Sequence, residues 1–455
     1  MKKIGGLMLC LVVVAVGAAR AQGIPIPDDV KANVRARVDN GWSVGYVVGV
    51  VDAAGTRYFS YGTTTRSGGQ PVTERTVYEI GSITKIFTAV ALADMAIKGE
   101  VGLDDPVQRY LPSDSVHMPS RDGKEITLRL LSGQRSGLPR MPSNFTPPDM
   151  SNPYVEYSPS LMYQFLNGYG LPRDPGASYE YSNLGVTLLG FALARRAGAR
   201  SYEDLALARV IRPLGLGDTR VTLTPELRAR LAHGYAGEQE VANWDFDPML
   251  GGAGALRSTA ADLAKLLAAA MGLAHTPLDS AFRLTEAIEY DAGPTMQIGL
   301  GWHVAGRDTA MIWWHNGGTG GYHSFIGFDP RRKVGVVVLS NSTQGGDDVG
   351  YHILNPAMPM MTVRVAIAMP AESLDAYVGT YQLAPTFGIT IRRNGAGLEA
   401  QATGQGANPI YPSARDEFFF KVVEAQISFQ RDSTGRVTRL VLHQGGRDLP
   451  APRSP

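Results

Sequence analysis

The segment Gly81-Ser82-Ile83-Thr84-Lys85 sets a serine and a lysine three residues apart where a loop enters a helix. That spacing is close to one helical turn, so both side chains share a face. A serine hydroxyl is a poor nucleophile until a base takes its proton. A lysine whose pKa is depressed by burial or by its neighbours can be that base. The positive end of the helix dipole also favours negative charge developing at Ser82. A second constellation is Tyr181-Ser182-Asn183, preceded by Pro175-Gly176 and Tyr179. A phenol beside a lysine ammonium loses its proton more readily and can pass one to a leaving group. Asn183 can hold Lys85 or a substrate amide carbonyl. The third is His315-Asn316-Gly317-Gly318-Thr319-Gly320-Gly321 at a strand end. Glycine there lets a substrate backbone lie along the strand edge. The N–H of Gly318, with that of Ser82, can face an oxyanion. His315 can hold a carboxylate, with Asn316 donating beside it, or it can polarise Tyr181.

Taken alone, each of these is also an ordinary feature. Ser82 reads as an N-cap with a solvated lysine, and Asn183 as an N-cap after a packed tyrosine. The glycine run reads as a hairpin with an incidental histidine. A fourth match, Gly41-Trp42-Ser43-Val44-Gly45, has the G-x-S-x-G form of a nucleophile elbow. That motif needs a strand before it and a helix after it. Here the order is reversed, which rejects Ser43. The sequence has no Walker-A loop, no H-E-x-x-H, no G-x-G-x-x-G and no Cys/His cluster. No metal and no nucleotide cofactor is therefore expected.

The elements that must position these residues are legible from period and turn chemistry. Residues 30–40 read as a helix. Residues 44–52 form an apolar, β-branched run that Ala53-Ala54-Gly55 turns back into residues 56–61, a hairpin. A helix over 83–98 has Ile83, Phe87, Val90, Ala91 and Met95 on its apolar side and stops at Gly99. A second spans 184–197 and ends at Gly198. A third begins at Thr259, with Asp262 completing a capping box. Strands return at 311–315, 324–328 and 334–341, the last two joined by Asp329-Pro330-Arg331-Arg332. Strands that open and close a chain of helices predict an α+β fold, in which the first and last strands pair in one antiparallel sheet flanked by helices. The expected organisation is a signal peptide over 1–21, a hydrolase domain over 22–354 and a Pro-rich linker over 355–373. A small all-β, barrel-like domain follows over 374–455, with five short strands at 388–393, 398–402, 417–421, 426–430 and 436–443.

The order S-x-x-K, Y-x-N, then a basic residue-x-Gly resembles the penicillin-recognising serine hydrolases. Within them it is most similar to the class C β-lactamase and D-Ala-D-Ala carboxypeptidase/endopeptidase branch, which also contains esterases. Supporting stretches are Leu103-Asp104-Asp105-Pro106-Val107, Ser136-Gly137-Leu138-Pro139 and Gly254-Ala255-Leu256-Arg257-Ser258-Thr259. The resemblance covers about residues 30–345. It implies a Ser82 acyl-enzyme, with Lys85 and Tyr181 sharing the proton work. Which of the two is the base stays open at this stage. It further implies a substrate site built from Asn183, His315, Asn316, Gly317 and Gly318. Many β-lactamases carry Lys-Thr-Gly where this chain has His315-Asn316-Gly317. Histidine is mostly neutral near pH 7, a departure that leans toward the carboxypeptidases. The tail resembles the lipocalin-like C-terminal domain of some members. The alternatives are a class C-like β-lactamase, a carboxylesterase on the same scaffold and a non-catalytic peptidoglycan-binding protein.

The start of the chain reads as an export signal: Lys2 and Lys3, an apolar run over 4–19, then Ala19-Arg20-Ala21 as a small-x-small cleavage site. Cleavage after Ala21 removes Cys10, the one cysteine, and turns a net charge of +1 into −2. Such a balance excludes the strong basic excess of nucleic-acid binders. No later segment has the length of a membrane span. The expectation is a secreted, periplasmic enzyme acting on a small peptide, β-lactam or ester, with peptidoglycan as a further candidate partner.

Overall fold

The computed structural model describes residues 23–308 and 310–454. The signal peptide expected over residues 1–21 lies outside them. Helix α1 (Asp28–Asp39) precedes the hairpin of β1 (Gly45–Asp52) and β2 (Gly55–Gly62). The next main helices are α2 (Thr84–Ile97), α3 (Asn183–Arg196) and α4 (Ala260–Ala270). Six strands follow: β3 (Tyr290–Gly293), β4 (Met296–Ile298), β5 (His303–Ala305), β6 (Ile312–Gly318), β7 (His323–Asp329) and β8 (Val334–Ser340). They make one eight-stranded sheet in the order β2-β1-β8-β7-β6-β5-β4-β3. The expected first-to-last pairing is present: β1 runs antiparallel to β8, with Tyr46 opposite Ser340 and Val51 opposite Gly335.

Both faces of this sheet are covered, which explains why β1 and β8 read as continuous apolar runs. Tyr46, Val48, Val50, Val336 and Val338 face α1 and helix α5 (Asp347–Leu354). Val47, Val51, Val337 and Leu339 face the larger core that contains Phe87, Val90, Leu263 and Leu267. The two sets alternate with the pleat. Helix α2 is buried on nearly every side, as a central helix hydrophobic all round must be.

Residues 355–370 carry no helix or strand. Beyond them eight antiparallel strands follow in sequence order: β9 (Gly379–Ala384), β10 (Phe387–Asn394), β11 (Gly397–Ala402), β12 (Asn408–Ala414), β13 (Glu417–Phe420), β14 (Ala425–Arg431), β15 (Val437–Gln444) and β16 (Arg447–Pro452). A bridge from Tyr381 to Arg453 brings the first strand to the last, so the sheet nearly closes into a barrel. The five tail strands read from the sequence are present. Strands β9, β12 and β16 were not anticipated, and prolines at 409, 412, 450 and 452 interrupt the last two. The barrel has its own core, including Tyr377, Tyr381, Ile391, Phe418, Ile427 and Leu440. It abuts the first domain where Trp42 stacks on Phe419, with ring centroids 5.5 Å apart. Tyr411 also donates to Glu238 across 3.1 Å.

Candidate active site

The chain enters α2 through a short 3-10 turn over Gly81–Ile83, which leaves Ser82 at the mouth of the helix and Lys85 one turn inside. Gly81 has φ +47°, and a Cβ there would stand 2.9 Å from the backbone N of Gly318. A Cβ on Gly317 would fall 2.0 Å from the carbonyl oxygen of Ile80. Only glycine allows the end of β6 to lie this close to the loop that carries Ser82. The glycines thus let the end of the strand pack on Ile80 and Gly81, next to Ser82.

Lys85 is 1% exposed. Its Nζ donates to Ser82 Oγ at 2.8 Å, Asn183 Oδ1 at 2.9 Å and the carbonyl of Ala253 at 2.8 Å. Three acceptors satisfy the three ammonium hydrogens, which offsets part of the cost of burying the charge. Burial still holds the amine well below the usual lysine range, and the positive charge of Arg140 pushes the same way. Tyr181 lies beside this pair, with Nζ of Lys85 4.9 Å from its ring centroid. Burial raises the phenol to about 12, while Ser82 and Arg140 pull it back.

The loop before α3 explains how Asn183 is free to reach Lys85. Ser182, not Asn183, caps the helix: its Oγ accepts from Gly185 N at 2.8 Å and donates to the carbonyl of Pro139 at 2.7 Å. The N–H of Ser182 is held by Gln134 Oε1 at 2.6 Å. Ser82, Tyr181, Asn183, Asn316, Gly317 and Gly318 all line one cavity of about 470 Å³.

His315 is different. Strand alternation turns it inward with Trp313, and it is 1% exposed. Its ring lies 4.8 Å from that of His303 and 6.2 Å from that of Tyr181. Burial, His303 and Lys85 together push its pKa well below the ordinary histidine value. A neutral, enclosed ring of this kind offers no charge to a substrate carboxylate, and it does not line the cavity. Asn316 does line it, with its Nδ2 donating to Asp347 at 2.6 Å. Ser43 bonds to Ser340 at 2.9 Å, buried between β1 and β8 and away from the site.

Several residues at the site went unnoticed in the sequence. His303 on β5 accepts from or donates to the Tyr179 hydroxyl at 3.0 Å, and its ring stacks against Tyr181 at 6.1 Å. Burial brings its pKa down to about 4. Tyr154 packs on Phe246 and Trp244, at 4.8 and 5.2 Å between centroids, to form an aromatic wall. Arg257, within the quoted Gly254–Thr259 stretch, donates to Glu79 at 3.1 Å and to the carbonyl of Trp244 at 2.8 Å, fixing that wall. Arg140 lies over Tyr181, 5.0 Å from the ring centroid. Its signal was available as the residue directly after Ser136-Gly137-Leu138-Pro139. Among the described residues no His/Cys/Asp/Glu group is arranged to hold a metal ion. None of the helices there is long and apolar enough to cross a membrane.

Residues 30–355 match the beta-lactamase family, and residues 363–451 match a domain of unknown function. A beta-lactamase of Escherichia coli K12 is 26% identical over 72% of this chain and 93% of its own length. Penicillin-binding protein 4* of Bacillus subtilis is 25% identical over 87% of this chain and 92% of its own. The D-alanyl-D-alanine-carboxypeptidase/endopeptidase AmpH of E. coli K12 is 27% identical over 65% and 79%. A solved class C beta-lactamase superposes with a TM-score of 0.64 at 22% identity, over 74% of this chain and 97% of its own. The fold of the first domain is that of the class C enzymes. The chain belongs to the beta-lactamase family and is a serine hydrolase of that family.

Proposed function

We propose that this protein is an exported D-alanyl-D-alanine carboxypeptidase/endopeptidase-type enzyme working through an acyl-enzyme on Ser82. The observation that carries the reading is the contact of 2.8 Å between the buried Lys85 Nζ and Ser82 Oγ at the edge of the cavity. A lysine whose pKa is depressed has a share of neutral amine near pH 7, and that amine accepts a proton. A phenol raised to about 12 stays protonated and serves as an acid. Lys85 is therefore the base and Tyr181 the proton donor to the leaving group.

In the first step Ser82 Oγ bonds to the substrate carbonyl carbon as its proton passes to Lys85. The N–H groups of Ser82 and Gly318 receive the oxyanion. The C–N bond breaks as Tyr181 gives its proton to the departing amine, and Lys85 returns a proton to Tyr181. Water then attacks the ester by the reverse path and frees Ser82. The relative named as a carboxypeptidase/endopeptidase supports this choice of substrate class. One observation favours a second reading, a carboxylesterase: the enclosed His315 leaves the strand without the fixed charge that a carboxylate would use. The deciding experiment incubates the enzyme with a peptide ending in D-Ala-D-Ala and measures free D-alanine. Steady release supports the peptidase. No release, with brisk hydrolysis of a nitrophenyl ester, supports the esterase.

A further inference from the structure

We infer that Arg140 is the anchor for the substrate carboxylate, a specificity role that the strand histidine does not fill. The inference rests on the carboxypeptidase reading, because a carboxypeptidase substrate carries a free terminal carboxylate. The backbone of Arg140 is pinned at the site: its carbonyl oxygen accepts from the N–H of Asn183 at 3.0 Å and of Leu184 at 3.3 Å. Its guanidinium projects over Tyr181 into the cavity.

Nothing among the described residues neutralises it. Among the described residues its side chain makes no ion pair and no hydrogen bond, and no Asp or Glu lines the cavity. The neighbouring cations are engaged. Lys85 gives its hydrogens to Ser82, Asn183 and Ala253. Arg257 is committed to Glu79, with Asp245 3.2 Å away. His303 and His315 are held neutral by burial. The positive charge of Arg140 reaches Lys85, where it adds to the lowering by burial, and Tyr179 and Tyr181, where it opposes the rise that burial causes. A cavity with one unpaired guanidinium and no acid is built for an anion. A guanidinium fork binds a carboxylate through two parallel N–H···O bonds, a geometry that lysine cannot copy in full.

The test compares Arg140→Gln and Arg140→Lys with the wild type on a D-Ala-D-Ala peptide acid and its C-terminal amide. The side chain is exposed and unbonded, so neither change threatens folding. Arg140→Gln should lower kcat/KM for the acid at least tenfold more than for the amide, with the acid-specific part in KM, while the loss of its charge beside Lys85 and Tyr181 lowers kcat for both substrates alike. Arg140→Lys should recover part of the loss. Equal losses for acid and amide would overturn the inference, since Arg140 would then act only through Lys85 and Tyr181. An unchanged acid would overturn it too. A wild type that hydrolyses nitrophenyl esters but neither peptide removes the peptidase reading. Arg140 is then decided on a carboxylate-bearing nitrophenyl ester against a neutral one. Selective loss on the charged ester supports the anchor, and parallel loss rejects it.

Discussion

Asn183 Oδ1 and Ser82 Oγ stand 2.9 and 2.8 Å from the same Lys85 nitrogen, so one buried amine ties Ser82, in the turn that enters α2, to the loop that carries Tyr181. If Lys85 and Tyr181 share one relay, their losses do not add. Lys85→Ala and Tyr181→Phe should each lower kcat strongly, and the double variant should be little worse than either. A coupling of about 0.5–3 kcal/mol is expected in the double-mutant cycle. Additive losses measured on a nitrophenyl ester would separate the two roles.

Gly317→Ala tests the contact between the strand and the loop that carries Ser82. The new Cβ would meet the carbonyl oxygen of Ile80 at 2.0 Å, and backbone must move. That motion carries Gly318 N away from Ser82, and losing one oxyanion donor costs about 10²–10³ in kcat. Gly168→Ala, which meets nothing within 4 Å, is the control and should keep full activity. Comparable rates for the two variants would contradict the account.

The buried histidines predict acid sensitivity. His303 has an ordinary value of 6.5 in the unfolded chain and about 4 in the folded one. Above pH 6.5 both states hold it neutral and it has no effect on stability. Between 6.5 and about 4 the unfolded chain takes up the proton and the native state does not, so stability falls with pH. At about 1.4 kcal/mol per unit this is roughly 3 kcal/mol by pH 4. Urea midpoints at pH 7 and pH 4.5 measure it. His303→Phe should start less stable, with Tyr179 unpartnered, but lose less on acidification.

The tail should be separable. Its core is its own, and a chain ending at Ala371 keeps the whole first sheet. Such a chain should remain folded by circular dichroism and still label Ser82 with a fluorescent penicillin. It should be somewhat less stable, because Trp42 loses its stacking partner Phe419. An insoluble or unfolded product would show that the two units depend on one another.

Much of this was legible in the sequence because the central elements are strongly periodic. Helix α2, helix α3 and strands β1, β7 and β8 begin and end within a few residues of where turn and cap chemistry put them. Thr259 caps α4 as read, its side chain accepting from Asp262 N. The three motifs converge because they sit at element ends that face one cavity. Strands β3, β4 and β5 were missed because each is three or four residues long, too short to show a period. His303 was lost with them. The inward turn of His315 could have been read from alternation with Trp314 and Asn316. Its neutrality could not, because that comes from His303 and Lys85, which are distant in sequence. Arg140 escaped notice because an unpaired cation is recognisable only once the acids around it are located in space.

The central claim is that Ser82 is the acylated residue. The most direct measurement is mass spectrometry of the whole protein after exposure to benzylpenicillin, followed by peptide mapping. The account predicts one penicilloyl adduct per chain, on the peptide containing Ser82, absent from Ser82→Ala and present in Ser43→Ala. An adduct located elsewhere, or one that persists in Ser82→Ala, would contradict it.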